Sequence, residues 1–163
     1  MKFEKILVPL DGSDLAEAAL EIAVDLLEGQ PTAKLLLLRA AEASTLPGAD
    51  RMEEQVRVVR EAESYLDAVV ARLREGGVKQ VRTSVWYGPA APTIVEAAEV
   101  EKVDLIVMSS HGRSGLGRLI FGSVAESVLR GTRTPILVVR DTGAPVSPPL
   151  GAVEARTGRP THV

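Results

Sequence analysis

The chain has 163 residues, 45% of them hydrophobic and only 3% aromatic, and its formal net charge at pH 7 is −3. This length suits one domain with a sizeable core built from aliphatic side chains. The negative charge argues against a nucleic-acid binder that works through bulk positive charge. The absence of cysteine excludes disulfides, thiolate catalysis and cysteine-bound metals.

The N-terminal residues and the hydropathy of the chain predict its compartment. Met1 to Lys5 lead directly into a strand, without the apolar region of a signal peptide. No apolar run approaches the ~18 residues that a transmembrane helix needs. We therefore expect a soluble, cytoplasmic protein that binds neither membranes nor nucleic acid.

The first unit of the chain reads as a strand, a turn and a helix. Residues 5–10 form a short apolar strand, and residues 11–14 form a turn that caps the next helix. Apolar residues then recur at helical spacing until Gly29 and Pro31 end the helix. Asp11 lies where the strand ends, which is the end at which open parallel sheets bind ligands. By itself, Asp11 is more simply explained as an Asx-turn or helix-cap residue.

The middle of the chain predicts two more strands and two more helices. Residues 33–38 form a second buried strand, and a loop over 42–50 leads to the longest helix, at about 51–75. Residues 78–87 alternate apolar and polar side chains, as in an edge strand partly open to solvent. Pro92 suits the first position of the third helix.

The strongest functional pattern comes next. A buried strand (104–109) is followed by a glycine-rich loop (110–121), a helix (123–130) and a second buried strand (135–139). Neither strand shows the alternation of a sheet with one wet face, so helices should cover both faces. The order of elements, βαβαβαβαβ, predicts a doubly wound parallel α/β sheet.

A strand, a flexible loop and a helix N-terminus form an arrangement that binds phosphate. The free N–H groups at the start of the helix offer donors and about half a positive charge. Ser123 and Glu126 have the spacing of a capping box, which makes Ser123 the predicted N-cap, and Arg113 and Arg118 add cationic groups. Glycines also occur wherever a long connection turns, so the loop alone leaves a purely structural role open. The glycines expected to allow positive φ and close approach to a ligand are Gly112, Gly115, Gly117 and Gly122.

The loop lacks the Walker and dinucleotide-binding fingerprints, but it resembles the signature of the ATP-binding branch of the universal stress protein family. That signature is a glycine, two residues, a second glycine, nine residues, then a glycine and a serine or threonine. Gly112, residues 113–121 and Gly122-Ser123 match it, whereas Ser109 stands in the place of the first glycine.

This resemblance implies a fold and a set of ligand-binding residues. The family's fold is Rossmann-like, of the adenine nucleotide alpha hydrolase-like type, with five parallel strands in the order 3-2-1-4-5 and helices on both faces. Strands one and four are then neighbours, and their carboxyl ends form a crevice. The implied nucleotide-binding residues are Pro9, Asp11, Gly12, Ser13, Ala40, Met108, Ser109, His111, Gly112, Arg113, Gly115, Gly122, Ser123 and Val124.

Individual roles follow from the same resemblance. Pro9 would border the adenine, Asp11 would accept a hydrogen bond from the adenine or ribose, and the backbone of Ala40 would lie against the adenine. Family members often have a histidine followed by a valine where Arg39 and Ala40 stand here. His111 would have a structural role or lie at the edge of the nucleotide.

The resemblance also implies a function. We expect ATP, ADP or AMP as the ligand, with Mg²⁺ or Mn²⁺ on the phosphates, and a nucleotide-dependent regulator of the stress response. Residues 1–140 would form the domain, residues 141–163 a flexible tail rich in proline and glycine, and strand Ile136–Val139 the contact of a homodimer. The sequence does not indicate a protein partner.

Two alternative functions remain at this point. One is a slow ATPase or phosphotransferase that uses the same cleft, although no clear general base is present. The other is a dimeric interaction module that binds no nucleotide, although the branch without nucleotide usually lacks the glycine series. We predict no catalytic residues and no metal ligands from the protein itself.

Overall fold

Strands and helices alternate along the chain in the computed structural model, which describes residues 3–43, 50–110 and 122–140. None of the helices in these ranges is both long and apolar enough to cross a bilayer. The elements are β1 (Lys5–Pro9), α1 (Asp14–Leu27), β2 (Lys34–Ala41), α2 (Arg51–Glu75), β3 (Val81–Tyr87), α3 (Ala90–Val100), β4 (Leu105–Ser109), α4 (Ser123–Gly131) and β5 (Ile136–Val139).

The five strands form one parallel sheet in the order β3-β2-β1-β4-β5. This confirms the predicted α/β class and the strand order. β1 is the central strand; Leu7 pairs with Leu36 of β2 on one side and with Ile106 of β4 on the other. The direction of the crossovers reverses between β1 and β4, and such a switch point opens a crevice at the carboxyl ends of the two strands.

The core consists of two layers, one on each face of the sheet. Ile6, Val8 and Leu37 point into the layer shared with α1 and α2, whereas Leu7 and Ile106 point into the layer shared with α3 and α4. Successive side chains of a strand face opposite sides, so a strand covered on both faces needs a continuous apolar run. Each fully buried aliphatic side chain contributes roughly 1.5–3 kcal/mol through removal from water.

The structure shifts some boundaries that the sequence predicted. β2 extends to Ala41, and β3 begins only at Val81, because the amide of Val78 donates to the carbonyl of Leu73 at the end of α2. Pro92 is the third residue of α3, with Pro89 as N-cap. The amides of the whole first turn lack partners within a helix, so proline fits there beyond the first position.

The start of α4 differs from the predicted capping box. Gly122 is the N-cap, with φ −68° and ψ 153°, and Ser123 is the first helical residue. Glu126 does not reach back; its carboxylate accepts from Nε and Nη2 of Arg130 at 3.1 and 2.9 Å. Glycine is itself an acceptable N-cap. The positive φ expected at Gly122 is also wrong, because this conformation is open to any residue.

Candidate functional site

A cavity of about 290 Å³ lies at the carboxyl ends of β1 and β4. This volume is near the lower end of the ~300–1,000 Å³ typical of small-molecule sites. The ends of three strands and the first turns of α3 and α4 surround it. Its lining residues are Pro9, Leu10, Asp11, Ala16, Leu38, Ala40, Ala90, Ile94, Met108, Ser109, Ser110, Gly122, Ser123, Val124 and Ala125.

Most of the predicted site residues that the structure describes lie in this lining. Gly12 and Ser13 do not, but they form the turn that carries Asp11. His111, Gly112, Arg113 and Gly115 lie outside the described residues. The predicted residues found in the lining are Pro9, Asp11, Ala40, Met108, Ser109, Gly122, Ser123 and Val124.

Several lining residues were missed by the sequence analysis. Leu38 lies two positions before Ala40 on the same face of β2, and Ala90 and Ile94 are one helical turn apart on α3. Their periodicity was visible in the sequence, but it points to a ligand site only once β2 and α3 are known to border β1 and β4. Ser110, almost fully buried, continues the line of β4.

The β1–α1 turn presents Asp11 to the cavity. Its Oδ1 accepts from the backbone amide of Ser13 at 2.9 Å and from the Ser13 hydroxyl at 2.6 Å, which is an Asx-turn. Ser13 is also the N-cap of α1, and its Oγ accepts from the amide of Ala16 at 3.2 Å. Gly12 has φ +82°, a left-handed conformation that favours glycine. The structural role expected for Asp11 is therefore confirmed, and the same residue lines the cavity.

Charged and aromatic side chains support this turn from the other face of the sheet. Nη1 of Arg39 donates to the Leu10 carbonyl at 3.2 Å, and its guanidinium carbon is 5.5 Å from the ring centre of Tyr65. The Tyr65 hydroxyl donates to Glu17 at 3.2 Å, and Glu17 accepts from Arg72 at 2.8 Å. Burial of the ring, followed by the negative charge of Glu17, raises the pKa of Tyr65 to about 12.

The opposite rim of the cavity is the start of α4. Ser110 donates its amide to the carbonyl of Val139 at 2.7 Å, and its own carbonyl accepts from Gly122 at 2.5 Å. The amides of Ser123 and Val124 belong to the first turn, where helix geometry provides no acceptor. Ser123 and Val124 line the cavity, and a helix N-terminus beside a cavity is a favourable place for an anion.

The described residues do not supply a metal site of their own. Within residues 3–43, 50–110 and 122–140, no group of three His, Asp or Glu side chains is placed to hold a metal ion.

Comparison with known proteins identifies relatives along almost the whole described chain. The model of the universal stress protein family matches residues 2–140. Universal stress protein MJ0531 of Methanocaldococcus jannaschii is 34% identical over 142 residues, covering 85% of this chain and 82% of that protein.

Two solved structures are similar to this chain in fold and in sequence. One is MJ0577 from Methanocaldococcus jannaschii, with a TM-score of 0.75, 28% identity and coverage of 88% of this chain and 99% of that one. The other is a universal stress protein in complex with cAMP, with a TM-score of 0.59, 25% identity and coverage of 85% and 98%.

Proposed function

The chain belongs to the universal stress protein family, and on this premise we propose that it binds an adenine nucleotide, ATP in particular, in the cavity between β1 and β4. Nucleotide occupancy would then regulate the response of the cell to stress. The observation that carries this proposal is the cavity itself, which combines an apolar wall, a carboxylate and a helix N-terminus.

The apolar wall suits a purine base. Pro9, Leu38, Ala40, Ile94 and Met108 line it, and they come from β1, β2, α3 and β4. A flat aromatic base gains affinity by leaving water for such a surface. The related protein in complex with cAMP supports an adenine ligand.

The polar groups suit the ribose and the phosphates. The Asp11 carboxylate lies at the end of β1 and would accept from a ribose hydroxyl or an adenine amino group. The first amides of α4 would donate to phosphate oxygens, with the Ser123 hydroxyl beside them. Mg²⁺ or Mn²⁺ would be bound through the phosphates.

Two further features belong to the same proposal. β5 is at the edge of the sheet and Leu137 is 38% exposed; pairing with β5 of a second copy would protect this edge and form a homodimer. Turnover of ATP should be slow or absent, because Asp11 is the sole carboxylate in the described lining and is engaged in its turn.

Thermal unfolding of the nucleotide-free protein tests the proposal, with Mg-ATP, cAMP, adenosine and GTP compared. A ligand at about 100 times its Kd stabilises by ~2.7 kcal/mol, which is several degrees at ~2–4 °C per kcal/mol. We expect a shift with ATP and none with GTP.

Asp11→Asn is the matched variant for this experiment, because asparagine keeps the turn acceptor and removes the charge. It should fold like the parent and bind ATP more weakly. The absence of any shift at millimolar ATP would favour a dimeric interaction module instead. ATP hydrolysis that survives repurification and is lost in site variants would favour the slow ATPase.

A further inference from the structure

We propose that Arg39 is a positioning residue for the nucleoside end of the site: from the opposite face of the sheet, it holds the Leu10–Ser13 turn so that Asp11 faces the cavity. The inference rests on the proposed function where it concerns ligand affinity. Its claim about the turn itself can be measured without a ligand.

The alternation of β2 places Arg39 behind the site. Leu38 and Ala40 line the cavity, so the side chain between them points to the other face, where α1 and α2 pack. From there, Nη1 of Arg39 reaches the Leu10 carbonyl at 3.2 Å. A Cβ atom placed on Gly12 would be 3.5 Å from the same nitrogen, so the guanidinium lies directly beneath the turn.

Leu10 is consequently held by β2 at both of its peptide groups. Its amide donates to the carbonyl of Leu38 at 2.8 Å, and its carbonyl accepts from Arg39. The next residue is Asp11. A hydrogen bond with a charged donor is roughly twice as strong as a neutral one, so Arg39 restricts the peptide plane from which Asp11 projects.

Arg39 is itself fixed by neighbours on both helices of that face. Its guanidinium lies over the ring of Tyr65 on α2, and the Tyr65 hydroxyl donates to Glu17 on α1. Arg72, two helical turns further along α2, donates to the same carboxylate. This chain of contacts gives the arginine one orientation, and only a planar fork can stack on the ring and bond the carbonyl together.

The competing explanation is that the positive charge of Arg39 attracts phosphate at long range. The two explanations differ in which ligand they affect. A positioning role weakens adenosine and ATP by the same factor, because both have the nucleoside. A charge effect weakens ATP and leaves adenosine unchanged.

The experiment compares the parent with Arg39→Met, which keeps the length of the side chain and removes the donor. Arg82→Met is the matched control, because it removes the same charge from an exposed position on β3. Calorimetry measures the Kd of adenosine and of Mg-ATP, and amide hydrogen exchange without ligand measures opening at Leu10 and Ser13.

We expect Arg39→Met to raise both Kd values about tenfold, the order expected for one charge-assisted hydrogen bond. Exchange at Leu10 and Ser13 should accelerate in the same variant, and Arg82→Met should match the parent in both readouts. Unchanged affinities with unchanged exchange would overturn the inference, and so would a loss confined to ATP with unchanged exchange.

Two further outcomes remain decisive. If the parent binds neither ligand, the proposed function fails, and the exchange data alone decide whether Arg39 holds the turn. If Arg39→Met does not fold, Arg39→Lys and Tyr65→Leu replace it. Arg39→Lys keeps the charge but lacks the planar fork, and Tyr65→Leu keeps the fork but removes the ring beneath it, so both variants should accelerate exchange at Leu10 and Ser13 and raise both Kd values; parent values in both variants would overturn the inference.

Discussion

The carbonyl oxygen of Ser110, where β4 ends, accepts a hydrogen bond from the amide of Gly122, where α4 begins, over 2.5 Å. The contact joins the two ends of the segment 111–121. Because the Ser110 amide also donates to Val139 of β5, a strand, a helix and a second strand meet at one residue. This junction lies beside the cavity, which Ser110, Gly122 and Ser123 line.

Ser13 and Ser123 both precede or begin a helix, but only Ser13 caps one. Ser13→Ala removes the hydroxyl that accepts from Ala16 and donates to Asp11. It should lower the stability by about 1 kcal/mol, the usual cost of losing an N-cap. Ser123→Ala removes no cap, so its melting temperature should stay near that of the parent.

For ligand binding, Ser123 is the residue of the pair whose replacement should matter. If Ser123 donates to a phosphate, Ser123→Ala should bind ATP more weakly while adenosine affinity is unchanged. Calorimetric titration of both ligands makes the comparison. A Ser123→Ala variant that is as destabilised as Ser13→Ala would show that the serine caps α4 after all.

Gly122 and Gly12 should respond differently to alanine. Gly122 has an ordinary extended conformation, so Gly122→Ala should cost only the roughly 0.5 kcal/mol by which alanine is a poorer N-cap than glycine. Gly12 has φ +82°, and Gly12→Ala should cost about 1–2 kcal/mol through left-handed backbone strain. Thermal unfolding of the two variants checks this difference.

Binding to the Gly122 variant then tests the phosphate position. A Cβ atom at the start of α4 would obstruct a phosphate that approaches the first amides of the helix. We expect weaker ATP binding and nearly unchanged adenosine binding by Gly122→Ala, with a larger effect for Gly122→Val. Equal ATP affinity in all three proteins would place the phosphates elsewhere.

Proline substitutions in β5 should separate folding from dimerisation. The carbonyls of Pro135 and Val139 accept from the amides of Ile106 and Ser110. Alternate residues of a strand direct their backbone groups to the same side, so the N–H and C=O of Leu137 also point to β4 and those of Val138 point to the open edge. Val138→Pro should retain the fold and shift the proposed dimer to monomer, because an edge strand tolerates proline where its N–H is not used.

Leu137→Pro is the control for that substitution. It removes a donor from the β4–β5 ladder and leaves an acceptor unpaired, which costs on the order of 1–3 kcal/mol. Sedimentation and thermal unfolding of both variants measure mass and stability. A Val138→Pro variant that remains dimeric would exclude β5 as the contact, and a monomeric parent at micromolar concentration would exclude the dimer.

The raised pKa of Tyr65 predicts a loss of stability at alkaline pH. The pKa of a free tyrosine is about 10, whereas burial and the charge of Glu17 raise the pKa of Tyr65 to about 12 in the folded protein. The folded state therefore favours the neutral phenol. The stability that the neutral phenol of Tyr65 contributes is fully present below about pH 10 and is lost as the pH rises through about 12. Because this ring is partly exposed, solvent reduces the free energy involved.

Denaturant unfolding across this pH range compares the parent with Tyr65→Phe. The variant lacks the bond to Glu17 and should be less stable at neutral pH, and the gap should close between about pH 10 and pH 12. Tyr87→Phe, at the other tyrosine, is the control. A gap that stays constant across the range would contradict the predicted titration.

The sequence by itself determined which segments are strands and which are helices. The apolar runs of β1, β2 and β4 and the 51–75 helix were recognisable because hydrophobic periodicity is local, and the parallel α/β class follows from their alternation. The strand order was expected only through the resemblance to a family, since pairing between distant strands leaves no local pattern.

Only the tertiary structure decided the contacts across the sheet and at helix ends. A Ser-x-x-Glu pattern is equally compatible with a cap at Gly122 or at Ser123, and the contact of Gly122 with Ser110 accompanies the first of these. Ile94 joins the cavity, and Arg39 supports its turn from behind, because separate elements meet there. Such contacts join residues far apart in the chain, and their energies depend on distances that exist only after the sheet has formed.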